Sequence, residues 1–417
     1  MKKLALCAAL IICCGYMFGQ AQQNVLWSFG NTPNDGAGPQ AALISDSAGN
    51  LYGTTSFGGG VSGGTAGGTV FELSPQPGGT WSESVLYRFC SQTDCTDGYE
   101  PQAGLVMDSA GNLYGTTYYS YCTTGEGQCA GTVFELSPPS PPGGEWNYNV
   151  LYTFCSVVMN GSDKCLDGSD PRSQLVFDAS GNLYGTTVQG GTGHFLGGLG
   201  GGVAFELSPG PSGWTETVLY SFCVLGEGNF CSDGASPQAG VTFDTSGNLF
   251  GTLEAAGVGS MGLVYELSPG NDGWTEKVLY PSFNGNSYAP VSFDAAGNLY
   301  STTTAHGFQL NVKHHVARTR AFSGPAGKEC QSGVLVDIPR NALFGTAAGG
   351  GTSNYGTVWE VNRARQLVPV YNFCSQPGCS DGAIPLAGLI EDQSGNLYGT
   401  TQQGGAYGKG VVFEVTP

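Results

Sequence analysis

Ten of the fourteen cysteines in this 417-residue sequence fall into five short-range couples: Cys90/Cys95, Cys122/Cys129, Cys155/Cys165, Cys223/Cys231 and Cys374/Cys379. Local couples in a chain that opens like an exported one are expected to be disulfides. Zinc is the competing chemistry, but no couple has two-residue spacing and there are only four histidines. Cys7, Cys13 and Cys14 lie in the apolar leader. Cys330 is left over and is expected to be free. It stands where other loops carry Pro101, Pro237 and Pro385.

Carboxylates recur in two patterns. Asp-Gly-x-x-Pro occurs at Asp35–Pro39, Asp97–Pro101, Asp167–Pro171, Asp233–Pro237 and Asp381–Pro385. One reading is a ring of acids collecting calcium or a cationic ligand. The other is a turn, with Asp accepting backbone N–H bonds and Pro fixing φ. Calcium loops alternate acids, and only Asp163–Asp170, with Asp167 between, comes near. No cofactor is therefore expected, calcium being the one allowed for. Glutamate recurs at 72, 135, 206, 266, 360 and 414. Glycoside cleavage needs two carboxylates in different environments, which equivalent positions do not supply. These glutamates are expected to bond to Thr or backbone groups of a neighbouring strand.

Other groups are weaker. His306, His314 and His315 could hold a metal, but they sit in an irregular segment and read as a solvated insertion. Tyr118, Tyr119 and Tyr121, beside Cys122, could form a platform for sugar rings or be ordinary edge-strand aromatics. Neither a Gly-x-Ser-x-Gly elbow nor a phosphate-binding loop is present, and no catalytic residue is assigned.

The elements that would position these groups come from a repeat. Asp-x-x-Gly-Asn-Leu-Tyr/Phe begins at Asp46, Asp108, Asp178, Asp244, Asp294 and Asp392, with a damaged copy at Asp337–Phe344. Each unit carries four strand-like runs. In the second they are Ala103–Asp108 (A), Asn112–Tyr118 (B), Gly131–Leu136 (C) and Tyr148–Phe154 (D). Glycine (70 residues) and scarce charge (11%) suit a β protein with many tight turns. Seven four-stranded units predict an all-β, seven-bladed β-propeller. The lone D-type run Val25–Phe29 is expected to close the last blade, whose own runs are Ala387–Asp392, Leu397–Thr401 and Gly410–Val415. Blade five looks weak, with Gln309–Phe322 replacing the usual Val-Phe-Glu-Leu phrase.

Met1–Lys3, the apolar run Leu4–Phe18 and Gly19–Ala21 read as a secretory signal peptide, residues 1–21. Residues 22–417 are expected to form a single propeller domain, secreted to the exterior or cell surface, or held in the periplasm. The net charge of −18 argues against nucleic acid and anionic membranes as partners. No stretch is long enough for a transmembrane span.

The phrases DSAGNLYGTT, GTVFELSP and WTETVLYSF resemble the GloVer tandem repeat, from Val25 to Pro417. The resemblance implies an extracellular protein with a choice of C-terminal anchor, and no defined activity. The sequence departs from it by stopping at Pro417 after a C-type strand, without a sorting tail or anchor helix.

In such a ring the D–A and B–C loops share one face and the A–B and C–D turns the other. The first set varies in length and holds the mature cysteines. The expected ligand face therefore carries Asp97, Tyr118, Tyr119, Tyr121, Asp167, Asp233 and Asp381. The expected function is a non-enzymatic binding or surface-interaction module for an extracellular glycan or protein. A carbohydrate-active lyase or hydrolase and a matrix component are the alternatives.

Overall fold

The computed structural model describes residues 21–417 except 61–66, 122–127, 130, 142, 160–163, 196–198, 228–229, 256–261, 281–284, 312–315 and 323–325. The expected leader, Cys122, Asp163, His314 and His315 lie outside the described residues.

Each repeat begins with the same clamp. In Asp108–Tyr114, Asp108 Oδ1 accepts the N–H of Ala110 and Asn112, and Oδ2 accepts Asn112 Nδ2 and the Tyr114 hydroxyl. Gly111 holds φ 85° there, a conformation that costs glycine nothing. The turn joins two strands, and seven such hairpins start seven antiparallel sheets. Blade 1 runs Ile44–Ser45, Leu51–Thr55, Thr69–Pro75 and Trp81–Arg88. Blade 7 runs Ile390–Glu391, Leu397–Thr401 and Val411–Thr416, and its fourth strand is Gln22–Ser28 from the other end of the chain. Val25 pairs with Phe413 and Ser28 with Val411, so the ring is a seven-bladed propeller closed by its N-terminal strand.

Two expectations about strands need correction. The A strands are short: Val106–Met107 rather than Ala103–Asp108. Residues 102–105 run along the central channel, where no strand pairs with them. Blade 5 is not degraded. His306–Asn311 pairs with Asn298–Thr302 on one side and Val316–Ala321 on the other. Ladder hydrogen bonds are made by the backbone, so they survive the loss of the Val-Phe-Glu-Leu phrase.

The core lies between and within blades. Phe134 of strand C packs over Gly115 of strand B so closely that a Cβ on Gly115 would lie 2.6 Å from its Cζ. Phe89 from the preceding blade meets the Phe134 ring edge-on at 5.0–5.5 Å, with centroids 5.2 Å apart. Both rings are fully buried. Each such burial contributes about 1.5–3 kcal/mol.

A second device ties blade to blade. In every blade the first Thr of strand B's Gly-Thr-Thr phrase, or its equivalent, donates to a channel-strand carbonyl of the next blade. The pairs are Thr54 to Ala103, Thr116 to Ser173, Thr186 to Ala239 and Thr252 to Ala289. Thr302 to Ser332, Thr346 to Ala387 and Thr400 to Ala41 complete the circuit. The donors are buried, so each bond is worth about 1 kcal/mol net and costs more than that if left unmade.

Candidate functional site

The threonine circuit fixes a ring of side chains. The residue just before each accepting carbonyl projects at the channel: Gln40, Gln102, Arg172, Gln238, Tyr288, Gln331 and Leu386 all line a central cavity of about 740 Å³. Small residues follow at each step because the strands converge on the axis. A Cβ on Gly240 would lie 2.3 Å from the Gln174 carbonyl. The mouth is held from outside as well. Every D–A loop but the one entering blade 5 bridges its own B–C loop, as in Ala37–Phe57, Tyr99–Tyr119, Ser169–Gln189, Ala235–Ala255, Lys328–Gly349 and Ala383–Gln403.

Seven equivalent positions thus carry unlike side chains, and one sector is set apart. Arg172 Nη1 donates to Gln238 Oε1 at 2.8 Å. Gln238 Nε2 donates to Glu254 Oε2 at 2.6 Å, and the Tyr288 hydroxyl to Glu254 Oε1 at 2.8 Å. The Arg172 guanidinium lies 5.4 Å from the Tyr118 ring centroid, within cation–π range. Tyr118 abuts Tyr119 at 4.3 Å, and Tyr119 abuts Tyr99 at 5.3 Å. Burial pushes the Asp170 carboxyl up to about 6, with Arg172 pulling it back. Burial also raises Glu100. Across the channel the groups are neutral, with Gln402 donating to Gln40 at 3.3 Å.

The repeated loop aspartates are elsewhere. Asp97, Asp167, Asp233 and Asp381 are buried behind the loops. Asp97 Oδ2 accepts the Ser91 N–H, the Ser91 hydroxyl and the Tyr87 hydroxyl, all within 2.9 Å. Asp381 repeats this with Ser375 and Tyr371. Asp167 does so with Ser156 and Tyr152. Asp233 takes the Tyr220 hydroxyl and two backbone N–H groups. These acids clamp the loops and do not aim at the mouth. Of the expected ligand-face residues, Tyr118 and Tyr119 reach the Arg172 sector. Tyr121 begins a short hairpin with Cys129.

Four disulfides are formed, Cys90–Cys95, Cys155–Cys165, Cys223–Cys231 and Cys374–Cys379, with Cα separations of 4.0, 4.5, 4.7 and 4.0 Å. The Cys122/Cys129 pairing lies outside the described residues. Cys330 is free and buried against Trp359 and Phe322. Among the described residues no three His, Cys, Asp or Glu side chains are grouped to hold a metal ion.

The strand-C glutamates find partners other than those expected. Glu135 Oε1 takes the Tyr114 hydroxyl at 3.1 Å, and Glu414 takes that of Tyr398 at 3.0 Å. Serine two residues on completes the set, as Ser208 does for Glu206 at 2.7 Å.

Sequence reading missed a second series, in strand D. Gln23 and Tyr148 share one register and donate to the main-chain carbonyls of Asp381 and Asp97. At the same register blades 1, 3 and 4 carry Glu83, Glu216 and Glu276. Burial, then the nearby Asp35, pushes Glu83 up to about 7. Burial and Asp167 take Glu216 to about 8, and burial and Asp233 take Glu276 to about 7. A position filled elsewhere by donors suits a protonated carboxyl. The signal was the Trp-x-Glu phrase at Trp81, Trp214 and Trp274.

These features define a disulfide-stapled seven-bladed propeller with one chemically distinct sector at its channel mouth. Residues 306–417 match the Gloeobacter/Verrucomicrobia repeat, so the chain carries the GloVer repeat that its phrases suggest. No curated protein matches the sequence. Among solved structures, the extracellular domain described as that of one component system BT4673 from B. thetaiotaomicron aligns at 12% identity and a TM-score of 0.53. The alignment covers 94% of this chain and 42% of that one, so this chain spans under half of that domain. PorZ, a surface component of the type-IX secretion system of Porphyromonas gingivalis, aligns at 14% identity and a TM-score of 0.49, over 89% of this chain and 46% of that one. A protein described as a 6-phosphogluconolactonase from Bacteroides fragilis aligns at 12% identity and a TM-score of 0.49, over 84% and 86%. At such identities the likeness concerns the ring fold alone.

Proposed function

We propose that this protein is an exported binding module whose loop face captures a glycan at the Arg172 sector of the channel mouth. The observation that carries this reading is the asymmetry of the ring. A threonine circuit presents seven equivalent positions, and only one stretch combines an arginine, stacked tyrosines and amides. Tyr118 and Tyr119 offer ring faces for a sugar. Gln102 and Gln238 offer both donors and acceptors for hydroxyls, and Arg172 offers a charged donor. The disulfides and the leader-like N-terminus support export, where local bridges persist.

One observation favours the enzyme alternative. Asp170, pushed up to about 6 beside Arg172, has the poise of a general acid. A glycan array on the mature protein, run with a polysaccharide-degradation assay, separates the two. The module reading expects glycan retention without cleavage, and retention lost in Arg172→Ala and Tyr118→Ala. Turnover abolished by Asp170→Asn would establish the enzyme instead. An array with no binding would remove the glycan.

A further inference from the structure

Four of the chain's seven arginines, in a protein of net charge −18, gather at one place on the turn face. Arg318, Arg320, Arg363 and Arg365 rim a cavity of about 490 Å³ in the seam between blades 5 and 6. Its floor is apolar, built from Phe308, Phe322, Trp359, Val336, Leu343 and Val361.

The cavity exists because this seam lacks its plug. In blade 3 strand D opens with Trp214, paired with Pro209 at the end of strand C, and its indole packs on Tyr114 of blade 2 with centroids 6.3 Å apart. Trp274 of blade 4 packs likewise on Tyr184, at 6.5 Å. Blade 6 pairs Glu360 with Val368 and Val361 with Leu367. Continuing that register outward places Arg365 where the tryptophan would be. Val361 also replaces a leucine that is fully buried in other blades as Leu73, Leu136, Leu207 and Leu267. Tyr300 of blade 5, the counterpart of Tyr114, lines the space left open.

The rim charges have no acid partners. Among the described residues, no ion pair involves any of the four arginines. Arg363 donates to the carbonyls of Arg340 and Pro339, and Arg320 to that of Arg365. The two acids in the lining are already engaged. Asp294 is clamped in its turn by Asn298 and Tyr300, and Asp337 pairs with Arg340.

We propose that this seam binds an amphiphilic organic anion, with an aromatic body in the place of the missing indole and a carboxylate or similar oxyanion at the arginine rim. The volume is that of an ordinary small-molecule site. Guanidinium groups match planar oxyanions, and an apolar floor under a cationic rim selects against neutral and cationic aromatics. The site lies on the face opposite the channel mouth and is independent of the glycan reading.

The test uses indole-3-acetate as probe, with its methyl ester and tryptamine as neutral and cationic controls. Calorimetric titration of the full mature chain should show indole-3-acetate binding at least about tenfold tighter than either control. Arg318→Gln with Arg365→Asn should erase that preference, the asparagine tolerating the left-handed backbone at 365, where φ is 56°. Val361→Phe should fill the floor and weaken all three probes, with an unchanged melting temperature as the check on folding. Equal binding of the three probes, absence of binding up to about 10 mM, or indole-3-acetate affinity unaltered by these variants would each overturn the proposal.

Discussion

The two faces of this ring spend the same residue type differently. On the turn face every aspartate of the repeat phrase does one job, holding an A–B hairpin. Its side-chain bonds recur almost atom for atom at Asp46, Asp108, Asp178, Asp294 and Asp392. On the loop face the clamping aspartates are just as uniform, but they are withdrawn behind the loops. What they leave at the mouth is variable: Gln, Arg, Tyr and Leu at one register. Uniform positions are scaffold, and the informative positions are those where the symmetry fails. The seam between blades 5 and 6 follows the same rule, since its cavity opens where a repeated tryptophan is missing.

Removing a loop clamp should be the costliest break in this scheme. Asp97→Ala leaves the N–H groups of Ser91 and Gln92 and two hydroxyls without their acceptor. A loss of about 3 kcal/mol is expected in urea unfolding. If Asp97 instead served a ligand, stability would hold and binding alone would fall.

The staples should matter less. Replacing Cys90 and Cys95 by serine opens a very short loop, worth about 2 kcal/mol on the chain-entropy account. Thermal melting of the double variant against the parent checks this, and the other blades' staples should be undisturbed.

Protonation gives the smaller effects, and the carboxylate series respond oppositely. Burial alone would raise the turn aspartates, but hydrogen bonds from Asn112 and its counterparts hold them below the usual range. Their contribution is present above about pH 4 and is lost as pH falls through the lowered folded value. Glu83, Glu216 and Glu276 are raised to about 7, 8 and 7. The folded chain keeps protons there that the unfolded chain has released by about pH 4.5. Stability therefore falls as pH rises from about 4.5 through about 8. Glu216→Gln supplies a donor that does not ionise. It should flatten the alkaline side of the melting-temperature profile, raising it by about 1–2 °C at pH 9. An unchanged profile would mean that the seam tolerates the carboxylate.

Much of this was legible in the residues because repetition is a sequence property. Seven turn phrases and an unmatched first strand led to the ring and its closure, and couple spacing led to the staples. Less visible was whatever the ring brings together from different blades. The Gln-Ala step after each loop proline is plain in the text at Gln40, Gln102 and Gln238. Its meaning depends on a threonine of the preceding blade, some fifty residues away. The partners of the strand-C glutamates were misassigned for a similar reason. Thr was the nearer guess, but Tyr114 and Tyr398 lie directly across the ladder. Blade 5 looked broken because side-chain phrases were read, whereas backbone pairing decides a strand.

The most direct test of the account compares the two faces for one ligand. With a glycan taken from the array, calorimetry on Arg172→Ala and Tyr118→Ala is set against Ser109→Lys and Ser180→Lys, both of which replace exposed turn residues. The account predicts affinity lowered at least about tenfold by the first pair and unchanged by the second. Weakening confined to the lysine variants would contradict it.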